Sequence, residues 1–169
     1  TVISGSGSGE LNGSIPEVLV TRSVAAEIPR IDLKVRIDSQ IGGSEEDRIQ
    51  IGGPGGAIAR VTFVQDGSIE DDSGTTSESW TTGTTYTVSF RNIDYSAETY
   101  DFYLNGTEVN ANVPFRTSNS SLDTLTLDHA NAGGGTWNIY VDDIESYEEP
   151  VLNGDVRVEW DKGGPTDIF

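Results

Sequence analysis

The sequence predicts an all-β protein, an antiparallel β-sandwich or jelly roll of about ten or more strands. Short runs alternate apolar and polar residues with a period of two, as a strand with one dry and one wet face requires. Turn-forming residues interrupt these runs about every eight to twelve positions. No internal repeat of solenoid or propeller length is present.

Residues 1–14, TVISGSGSGELNGS, have the Gly/Ser composition of a linker. We take them as an N-terminal segment that serves as an assembly arm, held by its own domain or by a neighbour, and residues 15–169 as one β-sandwich domain. The stretch PEVLVTRSVAAEI, residues 16–28, fits helix or strand, and its β-branched residues tip it toward strand. From residue 31 onward the chain reads strand, turn, strand: Ile31, Leu33, Val35 and Ile37 alternate with Asp32, Lys34, Arg36 and Asp38. Tyr86, Val88 and Phe90 repeat the pattern, as do Tyr100, Phe102 and Leu104, and finally Val156, Val158 and Trp160. The breakers between runs include IGGSEED, IGGPGG, QDGS, DDSGTTS, TTGTT and HANAGGG. In DFYLNGTEV the Asn105-Gly106 pair predicts a two-residue type I′ hairpin, whose central residues both need positive φ.

The chain has 169 residues, enough to bury a core without disulfides, and it contains neither cysteine nor methionine. Its 28 acidic and 10 basic residues give a net charge of −18, which repels nucleic-acid phosphates and anionic membrane surfaces. Eight of the basic residues are Arg and only Lys34 and Lys162 are Lys. This composition suits a halophile: in about 1 M salt the Debye length falls to roughly 3 Å, so a carboxylate shell stays hydrated without repelling itself. A start at Thr1 suits a secreted precursor that has lost its signal peptide, and no apolar run approaches the roughly 20 residues of a membrane span. The expected location is extracellular, at a cell or virion surface.

Three segments resemble the concanavalin A-like lectin/glucanase superfamily, in particular its laminin-G-like branch. SWTTGTTYTVSFRNID (79–94) is similar to the strand in which a Trp precedes an alternating run, and ETYDFYLNGTEV (98–109) to the following hairpin. GTWNIYVDDIES (135–146) is similar to the closing strand. The resemblance spans residues 79–146 and has no counterpart in the N-terminal third. It implies two antiparallel sheets packed face to face, a fold that hosts both glycan recognition and plain adhesion or assembly.

Retaining glycoside hydrolysis needs two carboxyl groups about 5–5.5 Å apart, which the glucanase branch supplies as E-x-D-x-x-E on one strand. Glu45, Glu70 and Glu159 have Asp two residues on, at Asp47, Asp72 and Asp161, but the third position holds Gln50, Thr75 and Gly164. We therefore expect no enzyme. Asp142 and Asp143 interrupt the alternation of Trp137, Ile139 and Val141, and a bulge there returns Ile144 to the core with both carboxylates in water. They are the candidate metal ligands; Asp66, Asp71, Asp72 and Asp128 are further oxygen donors. Calcium is the only cofactor left open, and no EF-hand spacing exists.

His129 is the only histidine and no G-x-S-x-G elbow accompanies it. The glycine runs at 52–56 and 133–135 lack the Lys and helix start of a phosphate loop and read as turns. Sugars present apolar C–H faces ringed by hydroxyls, so a glycan site needs aromatic rings beside amides and carboxylates. Trp80, Tyr95, Tyr103, Asn105, Asp128 and His129 are the candidates; Trp80 serves equally as a core plug, and Trp137 reads rather as core. Asn12, Asn105 and Asn119 head N-x-S/T glycosylation sequons.

These features together predict a non-enzymatic structural or adhesive surface protein of a halophile, a virion, pilus or cell-surface subunit. Its partners would be other copies of itself or surface proteins, and a glycan is also open. The alternative is a carbohydrate-binding module of a secreted enzyme.

Overall fold

The computed structural model describes residues 9–12, 17–39, 46–130 and 138–147. Two six-stranded antiparallel sheets make up the fold. The first contains, in spatial order, β1 (Gly9–Asn12), β12 (Asn138–Tyr147), β3 (Arg30–Ser39), β8 (Thr85–Asp94), β9 (Thr99–Leu104) and β10 (Thr107–Pro114). The second runs β2 (Glu17–Ala26), β11 (Leu122–Ala130), β4 (Glu46–Gly53), β5 (Gly56–Val64), β6 (Ser68–Asp71) and β7 (Gly74–Ser79). No helix occurs among the described residues, and the ambiguous stretch 17–26 is strand.

The alternation places one face of each sheet inside. Leu33, Val35 and Ile37 of β3 face the core beside Val88 and Phe90 of β8 and Phe102 and Leu104 of β9. The second sheet contributes Ile49, Ile51, Val61, Phe63, Ile69, Leu125 and Leu127. Each large side chain sealed this way is worth about 1.5–3 kcal/mol of apolar burial. Edge-to-face pairs lock the rings, with Phe63 and Trp80 at 5.9 Å and 84°, and Phe90 and Tyr100 at 5.7 Å and 67°. The run Val156, Val158, Trp160 and the residue Trp137 lie outside the described residues.

Four residues of the Gly/Ser segment form β1, an edge strand paired to β12 of the same chain from Gly9 opposite Val141 to Asn12 opposite Asn138. The rest of residues 1–14 lies outside the described residues. The hairpin between β9 and β10 turns on Asn105 and Gly106 at φ 52° and 81°, as the sequence predicts. The β12–β3 register slips between Asp142 and Glu145, and Asp143 sits at φ 50°. That is the expected bulge, and Ile144 packs back against the core.

The glycines at 52–56 serve close approach as well as turning. Residues 118–121 cross directly over the β4–β5 hairpin, where a Cβ on Gly53 would stand 2.0 Å from the Ser121 carbonyl oxygen. Asn119 fastens this crossing: its Oδ1 accepts from Gly55 N at 2.8 Å, while its Nδ2 donates to the carbonyls of Gly56 at 3.0 Å and Thr117 at 3.1 Å. Asn119 is buried, so its expected role as a glycan acceptor is corrected: the amide is spent on backbone partners that a glycan would displace.

Gly53→Ala should therefore lower stability by about 3 kcal/mol or more, because the obstacle is backbone that cannot rotate away. Gly74→Ala, with open space around it but φ 123°, should cost only about 1–2 kcal/mol. Urea unfolding of the two variants separates these effects.

Candidate functional site

The two outer faces of the sandwich differ in how their charges are used. On the first sheet every described basic side chain has an acidic partner. Lys34 bonds Asp143 at 2.6 Å, the Arg36 guanidinium bonds Asp38 at 2.5 and 2.7 Å, and Arg30 and Arg91 both pair with Asp32. Arg36 also lies over the Tyr140 ring at 4.8 Å, and Arg91 over Tyr103 at 4.5 Å. The hydrogen bond and charge of Arg36 hold the Asp38 carboxyl below its usual range.

The second sheet's outer face is built from alternate residues of β4, β5, β6 and β11. Register sets Arg48 across from Thr62 and Thr62 across from Glu70, and in the next row Thr126, Gln50 and Arg60 stand side by side. Arg48 pairs with Glu46 at 2.6 Å, and Arg116 pairs with Asp72. Arg60 is half-buried, and its guanidinium is the one basic group among the described side chains with neither an ion pair nor a hydrogen bond. Burial, then the positive charges of Arg116 and Arg48, hold it below the ordinary guanidinium range, against the opposing pull of Asp72 and Glu46.

Asp72 positions this face. Its side chain, only 5% exposed, accepts from the Arg60 main-chain N at 2.9 Å, from the Tyr100 hydroxyl at 3.0 Å and from Arg116. Tyr100 belongs to the first sheet, so one carboxylate ties β9 to β5. Burial foremost, and the Asp72 charge next, push the Tyr100 phenol far above its usual range, which keeps it a donor.

An open cleft of about 650 Å³ lies where the β2–β3 connection, the β8–β9 turn and residues 118–120 meet. Glu27, Asp94 and Glu98 make it acidic, and Pro29, Ile93 and Tyr95 give it an apolar side. Tyr95 is fixed there: its hydroxyl accepts from Ile28 N at 3.2 Å and donates to Ile28 O at 3.1 Å, and its ring meets Phe115 edge-on at 5.9 Å.

The sequence-predicted site residues do not converge. Trp80 is corrected to a core residue, 6% exposed, with its indole N–H donating to Val64 O at 2.7 Å. Tyr103 lies on the opposite face from Arg60, under Arg91 and donating to Glu108 at 2.7 Å. Asn105 is held in its turn by Thr87 N at 2.9 Å. Asp128 occupies the register position across from Arg48, in the arginine-bearing rows, whereas His129 is across from Asp47, in a core-facing row. The side chains of Asp128, His129 and Asn12 lie outside the description.

The acidic residues are largely engaged by neighbours. Asp143 bonds Lys34, and Asp142 accepts from the Asp143 N–H at 2.8 Å. Asp66 and Asp71 each accept from the backbone and hydroxyl of the serine two residues on, as does Asp94. Among the described residues no group of three or more His, Asp or Glu is placed to hold a metal ion. Asp47, of the first E-x-D match, is fully buried, whereas Gln50 lies in an outward row. Arg60 was not marked by sequence, although its place in AIARVTFV, between core-facing Ala59 and Val61, was the available signal.

No protein-family model matches the chain, and no curated protein matches it by sequence. Solved structures do. A sialidase aligns with a TM-score of 0.67 at 10% identity over 84% of this chain, which spans only 15% of that protein. The galectin LEC-6 of Caenorhabditis elegans aligns at TM-score 0.50 and 17% identity, over 80% of this chain and 95% of its own. LamAcat from Zobellia galactanivorans aligns at 0.53 and 14% identity, over 77% and 68%. The chain thus has a concanavalin A-like jelly-roll fold, as the three sequence segments imply.

Two outcomes follow from the bonding. Asp72→Asn should destabilise the protein by about 2–3 kcal/mol in urea unfolding, since Arg116 loses its counter-charge and three donors face a weaker acceptor. The Asp94 carboxyl is held low by the Ala97 N–H, the Ser96 hydroxyl and the Ser96 N–H. A depressed pKa stabilises above the unfolded value and is lost as pH falls through the folded one. The melting-temperature gap between wild type and Asp94→Asn, measured in 1 M NaCl, should accordingly be constant above about pH 5 and close toward pH 2.

Proposed function

We propose that the chain is a non-catalytic, glycan-binding domain of an extracellular, salt-adapted protein, and that the glycan lies on the outer face of the second sheet. The observation that carries this reading is Arg60. In a chain of net charge −18, a half-buried guanidinium with no partner among the described residues stands in a row with Gln50 and Thr126. The Arg60 guanidinium and the half-buried Gln50 amide are donors and acceptors left available for hydroxyl-rich ligands, while Thr126 beside them is buried. The carboxylates near it support binding over hydrolysis, because Asp72 is engaged by three donors and Glu46 by Arg48. Of the two functions expected from sequence, this favours the carbohydrate-binding module over the structural subunit; an adhesive unit on a virion, pilus or cell surface uses the same face.

Native electrophoresis through gels containing soluble polysaccharides tests the reading. At least one polymer should retard the wild-type chain without releasing reducing sugar; a chain that runs freely through a broad neutral and acidic panel is not a glycan-binding domain. The salt adaptation has its own readout, a melting temperature that climbs between 0.1 and 2 M NaCl as the carboxylate surface is screened.

A further inference from the structure

We propose that the ligand of this face is a carboxylate-bearing sugar, an acidic glycan, gripped by Arg60 in a two-pronged hydrogen bond with Arg48 and Arg116 to either side. The proposal rests on the glycan-binding reading and narrows it. Along β5, Arg48 stands opposite Thr62, two residues beyond Arg60 in one direction. Two residues in the other direction, the Arg116 main-chain N–H donates to the Ile58 carbonyl at 2.9 Å. Guanidinium-bearing residues of neighbouring segments thus flank Arg60 on both sides along β5, Arg48 at the diagonal cross-strand spacing of about 7 Å. Arg48 and Arg116 are each tethered by a carboxylate, and Arg60 between them is not.

The placement of the aromatic residues argues against a neutral sugar at Arg60. Tyr103 and Tyr140 sit on the other sheet's face, Tyr95 is at the cleft, Phe115 is half-buried edge-on against Tyr95 beside Arg116, and Trp80, Tyr86, Phe63, Phe90, Tyr100 and Phe102 are buried. The rows that hold Arg48, Gln50, Arg60 and Thr126 therefore carry no ring for a sugar to stack on among the described residues, and affinity there has to come from charge-assisted hydrogen bonds. A guanidinium fork matches a planar carboxylate in both geometry and charge. The Asp72 bond to the Arg60 main chain fixes where that fork begins.

The full chain, titrated by calorimetry in 1 M NaCl to screen its −18 charge, tests this against polygalacturonate, its carboxyl-reduced neutral derivative and dextran sulfate. Polygalacturonate should bind about tenfold or more tighter than the reduced polymer, the worth of one charge-assisted bond. Arg60→Gln should abolish that preference at an unchanged melting temperature, and Arg60→Lys should restore only part of it, since an ammonium cannot form the fork. Equal binding of acid and reduced polymers, full preference in Arg60→Gln, or binding of dextran sulfate alone would overturn the proposal. Equal binding leaves the glycan-binding reading standing; silence from all three polymers and from the wider polysaccharide panel removes both.

Discussion

Burial of one face of each sheet against the other is the constraint on which everything else in this protein depends. With a period of two, committing Leu33, Val35 and Ile37 or Ile49 and Ile51 to the interior commits their sequence neighbours to the exterior in fixed rows. A shift of one residue in β5 would put Arg60 into the core and Val61 into water. The hydrophobic effect therefore sets the address of the polar groups, although it takes no part in what they bind. Where the pattern would fail, as at Asp142 and Asp143, a bulge absorbs the extra residue and keeps both carboxylates on the wet side.

Asp72 translates that general constraint into a specific site. Its oxygens collect a main-chain donor from β5, a phenol from the first sheet and a guanidinium from the segment after β10. A buried carboxylate is tolerable only when its lone pairs are filled, and here the filling groups come from three separate parts of the chain. The consequence reaches the surface: Arg116 is pulled toward β5, and its charge works with that of Arg48 to raise the cost of keeping Arg60 ionised. An isolated cation in this position would be unremarkable; one flanked by two others is poised to gain from an anion.

The contrast between the faces has the same origin. Lys34, Arg36 and Arg91 lie within reach of acidic residues one or two rows away, and Tyr140 and Tyr103 provide rings for two of them. In so acidic a chain that outcome is the ordinary one. The second sheet departs from it because Gln50, the register neighbour of Arg60, and Thr126 beyond it are uncharged.

Sequence alone determined the fold class, the strand-forming runs at 31–37, 86–90 and 100–104, the Asn105-Gly106 turn and the bulge at Asp142-Asp143. These are local properties: side-chain alternation and positive-φ preference act between residues a few positions apart. It could not decide whether Trp80 was a platform or a plug, nor that Asn119 would be consumed by the backbone of a hairpin more than 60 residues away. Nor could it single out Arg60 among eight arginines. Whether a charged group is satisfied depends on strands brought together by register and by the packing of one sheet on the other, and only the tertiary structure sets those distances.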